Sequence, residues 1–112
     1  MSDTNKTTRL ILNDLFNRRI FAWRENTAGI PLPQGGFRPG GKTGKHDIIA
    51  ILPPSGCFLG IEIKTGHDRL RPEQLGFKAN LEQMGGIYLV VKDFDDYQQQ
   101  LSKLSKLSTF PL

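Results

Sequence analysis

Asp47, Glu62 and Lys64 are the residues of this chain whose types and spacing could do chemistry together. Asp47 opens the apolar run Ile48-Ile49-Ala50-Ile51-Leu52. Glu62 and Lys64 lie at the end of a second run that begins at Cys57. Between the runs stands Pro53-Pro54-Ser55-Gly56, a loop of turn formers, so the segment predicts a β-hairpin. With Leu52 opposite Cys57, each antiparallel pair sums to the same number, and Asp47 falls opposite Glu62. Opposed residues share a face, with Cβ atoms about 5 Å apart. Strand alternation puts Lys64 on that face as well. Facing carboxylates repel, and a hard cation such as Mg2+ removes the objection. Two acids, a divalent cation and a lysine that positions or helps deprotonate water form a phosphodiester-hydrolysing arrangement. The plain alternative is a surface ion pair at a frayed strand end.

The rest of the chain must position these groups. Its 112 residues suffice for one domain with one core, spanning 1–112. A hydrophobic fraction of 38% and a charged fraction of 23% fall in the globular range, so a folded protein is expected. The net charge of +4 suits a polyanionic partner. A single cysteine, Cys57, excludes an internal disulfide and reads as a buried strand thiol. Two histidines and one cysteine argue against a structural zinc site. No apolar run reaches membrane-spanning length and the N-terminus is polar, so the expectation is an intracellular, cytoplasmic protein with no membrane partner.

In chain order, Thr7 to Arg19 predicts a helix with Ile11, Leu12, Leu15 and Phe16 on one side. Ile20 to Arg24 is a short strand. Glu25 to His46, with six glycines and three prolines, is a long loop without structure of its own, made basic by Arg38, Lys42 and Lys45. After the hairpin, Thr65 to Arg71 is a basic connection carrying Arg69 and Arg71. Pro72 suits the first position of a helix to Met84, ended by Gly85-Gly86. Its core stripe is Gln74, Phe77, Leu81 and Met84, and a polar Gln74 there needs a partner. Ile87 to Val91 is an apolar strand. Asp93 caps a last helix with the stripe Phe94, Tyr97, Leu101 and Leu104. The order α-β-β-β-α-β-α predicts an α/β layer sandwich, a small mixed sheet flanked by helices.

Gly36-Phe37-Arg38-Pro39-Gly40-Gly41-Lys42-Thr43 matches the letters of a phosphate-binding loop. That loop works between a strand and a helix, and here a strand follows instead, so a nucleotide-binding reading is set aside. His46-Asp47 lacks the further histidines a metal pair of that kind needs.

Asp47 followed fifteen residues later by Glu62-Ile63-Lys64 is the spacing of the PD-(D/E)xK nuclease superfamily. Trp23-Arg24-Glu25-Asn26-Thr27 with Gly29, then Gly44-Lys45-His46-Asp47-Ile48-Ile49, Gly60-Ile61-Glu62-Ile63-Lys64-Thr65, Leu70-Arg71-Pro72-Glu73-Gln74 and Gly85-Gly86-Ile87-Tyr88 follow in order. Together they resemble the VRR-NUC (virus-type replication-repair nuclease) family over about residues 8–92. The resemblance implies a restriction-endonuclease-like αβββαβ core and Mg2+- or Mn2+-dependent cleavage of DNA. It implies Asp47, Glu62 and the Ile63 carbonyl as metal ligands, Lys64 on the attacking water, and Gln74 as an orienting residue. It also implies a bacterial or viral homodimer acting on branched DNA such as four-way (Holliday) junctions, in a repair setting. Arg24, Asn26, Thr27, Arg38, Lys42, Lys45, Arg69 and Arg71 are the expected nucleic-acid contacts. The sequence departs from the family in its first helix, where Thr7, Thr8 and Arg9 stand in place of an acid, and in Ala28, which adds a residue before Gly29. A rival from another class is a protein, or nuclease subunit, that binds branched DNA without cutting it.

Overall fold

In the computed structural model, residues 3–25, 30–31, 33–35, 37–38 and 47–107 are described. The predicted hairpin is present. β4 (Ile48–Leu52) and β5 (Cys57–Ile63) pair antiparallel from Leu52 with Cys57 to Ile48 with Ile61, the register that alternation required. β1 (Phe21–Arg24) adds antiparallel to β4, and β6 (Ile87–Val91) adds parallel to β5. The sheet order is β1-β4-β5-β6. Three helices flank this mixed sheet: α1 (Asp3–Asn17), α2 (Pro72–Gln83) and α3 (Phe94–Leu107). α2 supplies the crossover that a parallel β5–β6 pair demands. The architecture is α/β, a small mixed sheet between helices.

Residues of alternate parity divide the sheet into two unlike faces. On one, Ile48, Ala50 and Leu52 of β4, Leu59, Ile61 and Ile63 of β5, and Leu89 and Val91 of β6 form the core with Ile11 and Leu15 of α1 and Tyr97 and Leu101 of α3. Tyr97 donates from its hydroxyl to Asp14 at 2.6 Å, and Arg18 Nε donates to the same carboxylate oxygen at 2.8 Å. This joins α3 to α1 through a satisfied polar contact at the rim of the core. Asp93 caps α3 as expected, accepting from the Asp96 amide at 2.8 Å. On the other face lies α2, packed against β6. Gly85, with φ of 91°, turns the chain out of α2. Gly86 follows so close to the helix that a Cβ there would lie 2.3 Å from Leu81 Cδ1.

Several expectations are corrected. α1 begins at Asp3, not Thr7, so Asp3 lies in its first turn. Phe16 is 78% exposed, and the buried stripe runs instead through Thr7, Thr8, Ile11 and Leu15. Thr8 hides its hydroxyl by donating to Thr4 O at 2.7 Å. Met84, expected in the core, is 85% exposed at the end of α2, because this helix overhangs one edge strand. Cys57 is half-buried rather than buried, its Sγ 3.4 Å from Gly85 O. Within the expected structureless loop, β2 (Ile30–Pro31) and β3 (Phe37–Arg38) form a two-stranded antiparallel ribbon around a turn at 33–35. β-Formers Ile30 and Phe37 supply the pairing that glycine and proline counts obscured. Among the described residues no helix is long and apolar enough to cross a membrane.

Candidate active site

Glu62 is held on β5 opposite Val90 of β6 in the parallel ladder, one residue past the last β4–β5 pair. Its neighbours Ile61 and Ile63 point into the core, which fixes the strand and turns Glu62 to the α2 face. There it is only 5% exposed. A buried carboxylate needs partners. Gln74, the polar member of the α2 stripe, supplies one: Nε2 donates to Glu62 Oε1 at 3.0 Å. The other end of the amide is fixed as well, since Gln74 Oε1 accepts from the Arg71 backbone N–H at 2.9 Å. That bond is half of a capping box, so the first turn of α2 and the acid are locked together. Lys64 Nζ stands 3.7 Å from the same Glu62 oxygen. Glu62 Oε2 is buried and has no hydrogen-bond partner among the described residues.

Asp47 comes to this group by a route that strand pairing did not foretell. The β4–β5 ladder ends at Ile48 with Ile61, one pair short of the expected opposition of Asp47 to Glu62. The Asp47 amide donates to Ile61 O at 2.9 Å, and the carboxylate Oδ2 accepts from the Ile63 N–H at 2.8 Å. A side-chain acceptor has thus replaced the next rung of the ladder. The two acids nevertheless act on each other. Burial first, and the Asp47 charge second, push the Glu62 carboxyl up to about 7, against downward pulls from Lys64 and Gln74. Tyr88 belongs to the same neighbourhood. Burial and the charges of Glu62 and Asp47 hold its phenol well above the usual range, and its ring lies 6.2 Å from Phe77 of α2. The sequence gives Tyr88 no role; only the parallel register of β6 places it two residues from Val90, on the Glu62 face.

The sequence-expected residues therefore divide. Asp47, Glu62, Ile63, Lys64 and Gln74 come together. Arg71 joins them through its backbone, while its exposed guanidinium pairs with Glu73 at 3.5 Å. Arg69 is exposed on the connection between β5 and α2. Arg24 is on the opposite sheet face, donating to Asn5 Oδ1 of α1 at 2.9 Å. Asn26, Thr27, Lys42 and Lys45 lie outside the described residues, and Arg38 is placed by its strand alone.

No group of three or more His, Cys, Asp or Glu side chains gathers among the described residues. The possible donors are the two carboxylates, completed by backbone carbonyl oxygen and water, which is the kind of set that suits Mg2+. The orphaned Glu62 oxygen and the mutual repulsion of the acids fit such a cation. No family model and no curated protein matches the chain.

Proposed function

We propose that this chain is a metal-dependent DNA endonuclease of the PD-(D/E)xK type with a VRR-NUC-like, restriction-endonuclease-like core. The observation that supports the reading is a single one. Asp47 and the buried Glu62 repel each other in one place, where a lysine and an anchored glutamine also converge. Repulsion of this kind is a cost in stability without a cation and a binding site with one.

Asp47, Glu62 and the Ile63 carbonyl would hold Mg2+ or Mn2+. When bound, that ion supplies Lewis acidity that polarises the phosphodiester and stabilises the leaving oxygen. Gln74 keeps Glu62 in one rotamer through the α2 cap, so the carboxylate needs no reorganisation when substrate arrives. Lys64 would hold the attacking water in line with phosphorus and, as the neutral amine, take up the proton that water loses. Asp47 keeps its place through the Ile63 amide. Arg69 and Arg71, exposed on the chain between Glu62 and α2, would meet phosphates on the substrate strand.

Branched DNA is the proposed substrate, with four-way junctions foremost, and two copies of the chain would meet their approximate two-fold symmetry. Sedimentation at low micromolar concentration reads the dimer; a monomer, with or without four-way DNA, removes it. Turnover of labelled DNA with Mg2+ or Mn2+ against EDTA tests the activity. Binding without turnover under all three conditions replaces the enzyme with a junction-binding protein.

A further inference from the structure

Among the described residues, the β1–β4 half of the Glu62 face carries no helix. Among the described elements α2 packs on β6, and α1 meets β1 and β4 from the opposite side. The registers set Phe21, Ile51 and Phe58 in one row across this face, and Trp23, Ile49 and Gly60 in the next. One row further stands Glu62. Trp23 lies two strands over and two residues along from it, about 12 Å by strand spacing. Phe21 is 71% exposed and Trp23 38%, with ring centroids 5.0 Å apart and planes tilted by 48°.

We infer that Phe21 and Trp23 form a stacking platform for an unpaired nucleobase of the strand being cut. The inference rests on the nuclease reading and narrows its substrate to DNA with unstacked nucleotides beside the scissile phosphate. The occupant must offer flat aromatic surface and negative charge together. Flat surface is required by two rings exposed side by side on one sheet face. Negative charge is required by the cations at either end. Arg19 shares a groove with Phe21, and Lys64, Arg69 and Arg71 follow Glu62. A single-stranded nucleic acid has both properties, and aromatic residues on a sheet face take its bases irrespective of sequence. A branch point offers such unpaired bases; an intact duplex does not.

Trp23 is the only tryptophan in the chain, so its fluorescence reports this contact directly. The titration is done in EDTA, where no cleavage intervenes, with a short oligothymidylate, an abasic oligonucleotide of equal length and a blunt duplex. The expected result is quenching by oligothymidylate alone, with all binding followed in parallel by anisotropy. Trp23→Leu is expected to weaken oligothymidylate binding about tenfold and leave abasic binding unchanged. Binding of oligothymidylate without quenching overturns the platform and leaves the nuclease reading intact. Failure to bind oligothymidylate at all also overturns the platform, while the nuclease reading is decided separately by metal-dependent turnover of branched DNA. A concentration-dependent emission shift without DNA, accompanied by a dimer that Trp23→Leu disrupts, assigns the face to a second copy and also overturns it. The wild-type titration decides the matter even if the variant does not fold.

Discussion

Glu62→Gln removes one charge from the acid site while keeping the shape of the side chain and an oxygen for Gln74. In the metal-free protein Glu62 titrates near 7, above its ordinary value of 4.5. The folded chain therefore binds more protons than the unfolded chain between these two values, and stability falls as pH rises through that window. The contribution is fully present below about 4.5 and lost above about 7. At about 1.4 kcal/mol for each pH unit, the ceiling on the loss is roughly 3 kcal/mol. Urea unfolding in EDTA at closely spaced pH values measures it. The wild-type curve should decline relative to Glu62→Gln from pH 5 to pH 8, and the variant should equal or exceed wild type at the upper end. Subtracting the two curves cancels the other titrating groups. Adding Mg2+ at pH 8 should restore wild type and leave the variant unmoved. Two parallel curves would refute the reasoning, because Glu62 would then have no charge repulsion for a cation to relieve.

Lys64→Ala should cut turnover by about a hundredfold or more while Mg2+ still raises the thermal midpoint, since lysine is not a ligand; near-normal turnover would remove Lys64 from the chemistry. Asp47→Asn keeps an oxygen for the Ile63 N–H, 2.8 Å away in wild type, so in EDTA it should be at least as stable as wild type, yet it should bind Mg2+ poorly. Asp47→Ala strands that amide and should cost about 1–3 kcal/mol by urea unfolding; equal loss in both variants would mean that the Asp47 charge itself stabilises the fold. Gln74→Ala strips the Arg71 N–H and Glu62 Oε1 of their partner, and about 2 kcal/mol or more of lost stability is expected, with weaker Mg2+ binding. Unaltered unfolding in that variant would disconnect the α2 cap from the acid.

The hairpin was legible because two different cues agreed on it. Alternation chose the faces, and Pro53 to Gly56 set the turn, which left one register. Gln74 was legible for a different reason. A polar residue on a buried stripe must be satisfied, and its partner proved to be the acid across the α2–β5 contact. The end of the ladder was not legible, since Asp47 competes with backbone for the Ile63 amide and pairing rules assume backbone alone. Buried Thr7 and Thr8 escaped a count of apolar residues, because one of them satisfies its hydroxyl within its own helix. Exposed Phe16 and Met84 misled the same count: a periodic stripe gives a direction, while the extent of the sheet beneath decides how much of it is covered. Tyr88 needed the parallel β5–β6 register, which depends on a crossover and not on any local turn.

The central claim is that Asp47 and Glu62 form a metal-dependent phosphodiester-cleaving site. A cleavage panel of linear, flap, fork and four-way DNA, run with Mg2+, Mn2+ or EDTA on wild type and Glu62→Gln, tests it most directly. Wild type should cut with either metal, favour the branched substrates and be silent in EDTA, and Glu62→Gln should be inactive throughout. Cleavage by Glu62→Gln at the wild-type rate, or no cleavage of any DNA by a wild-type protein that Mg2+ demonstrably stabilises, would contradict the claim.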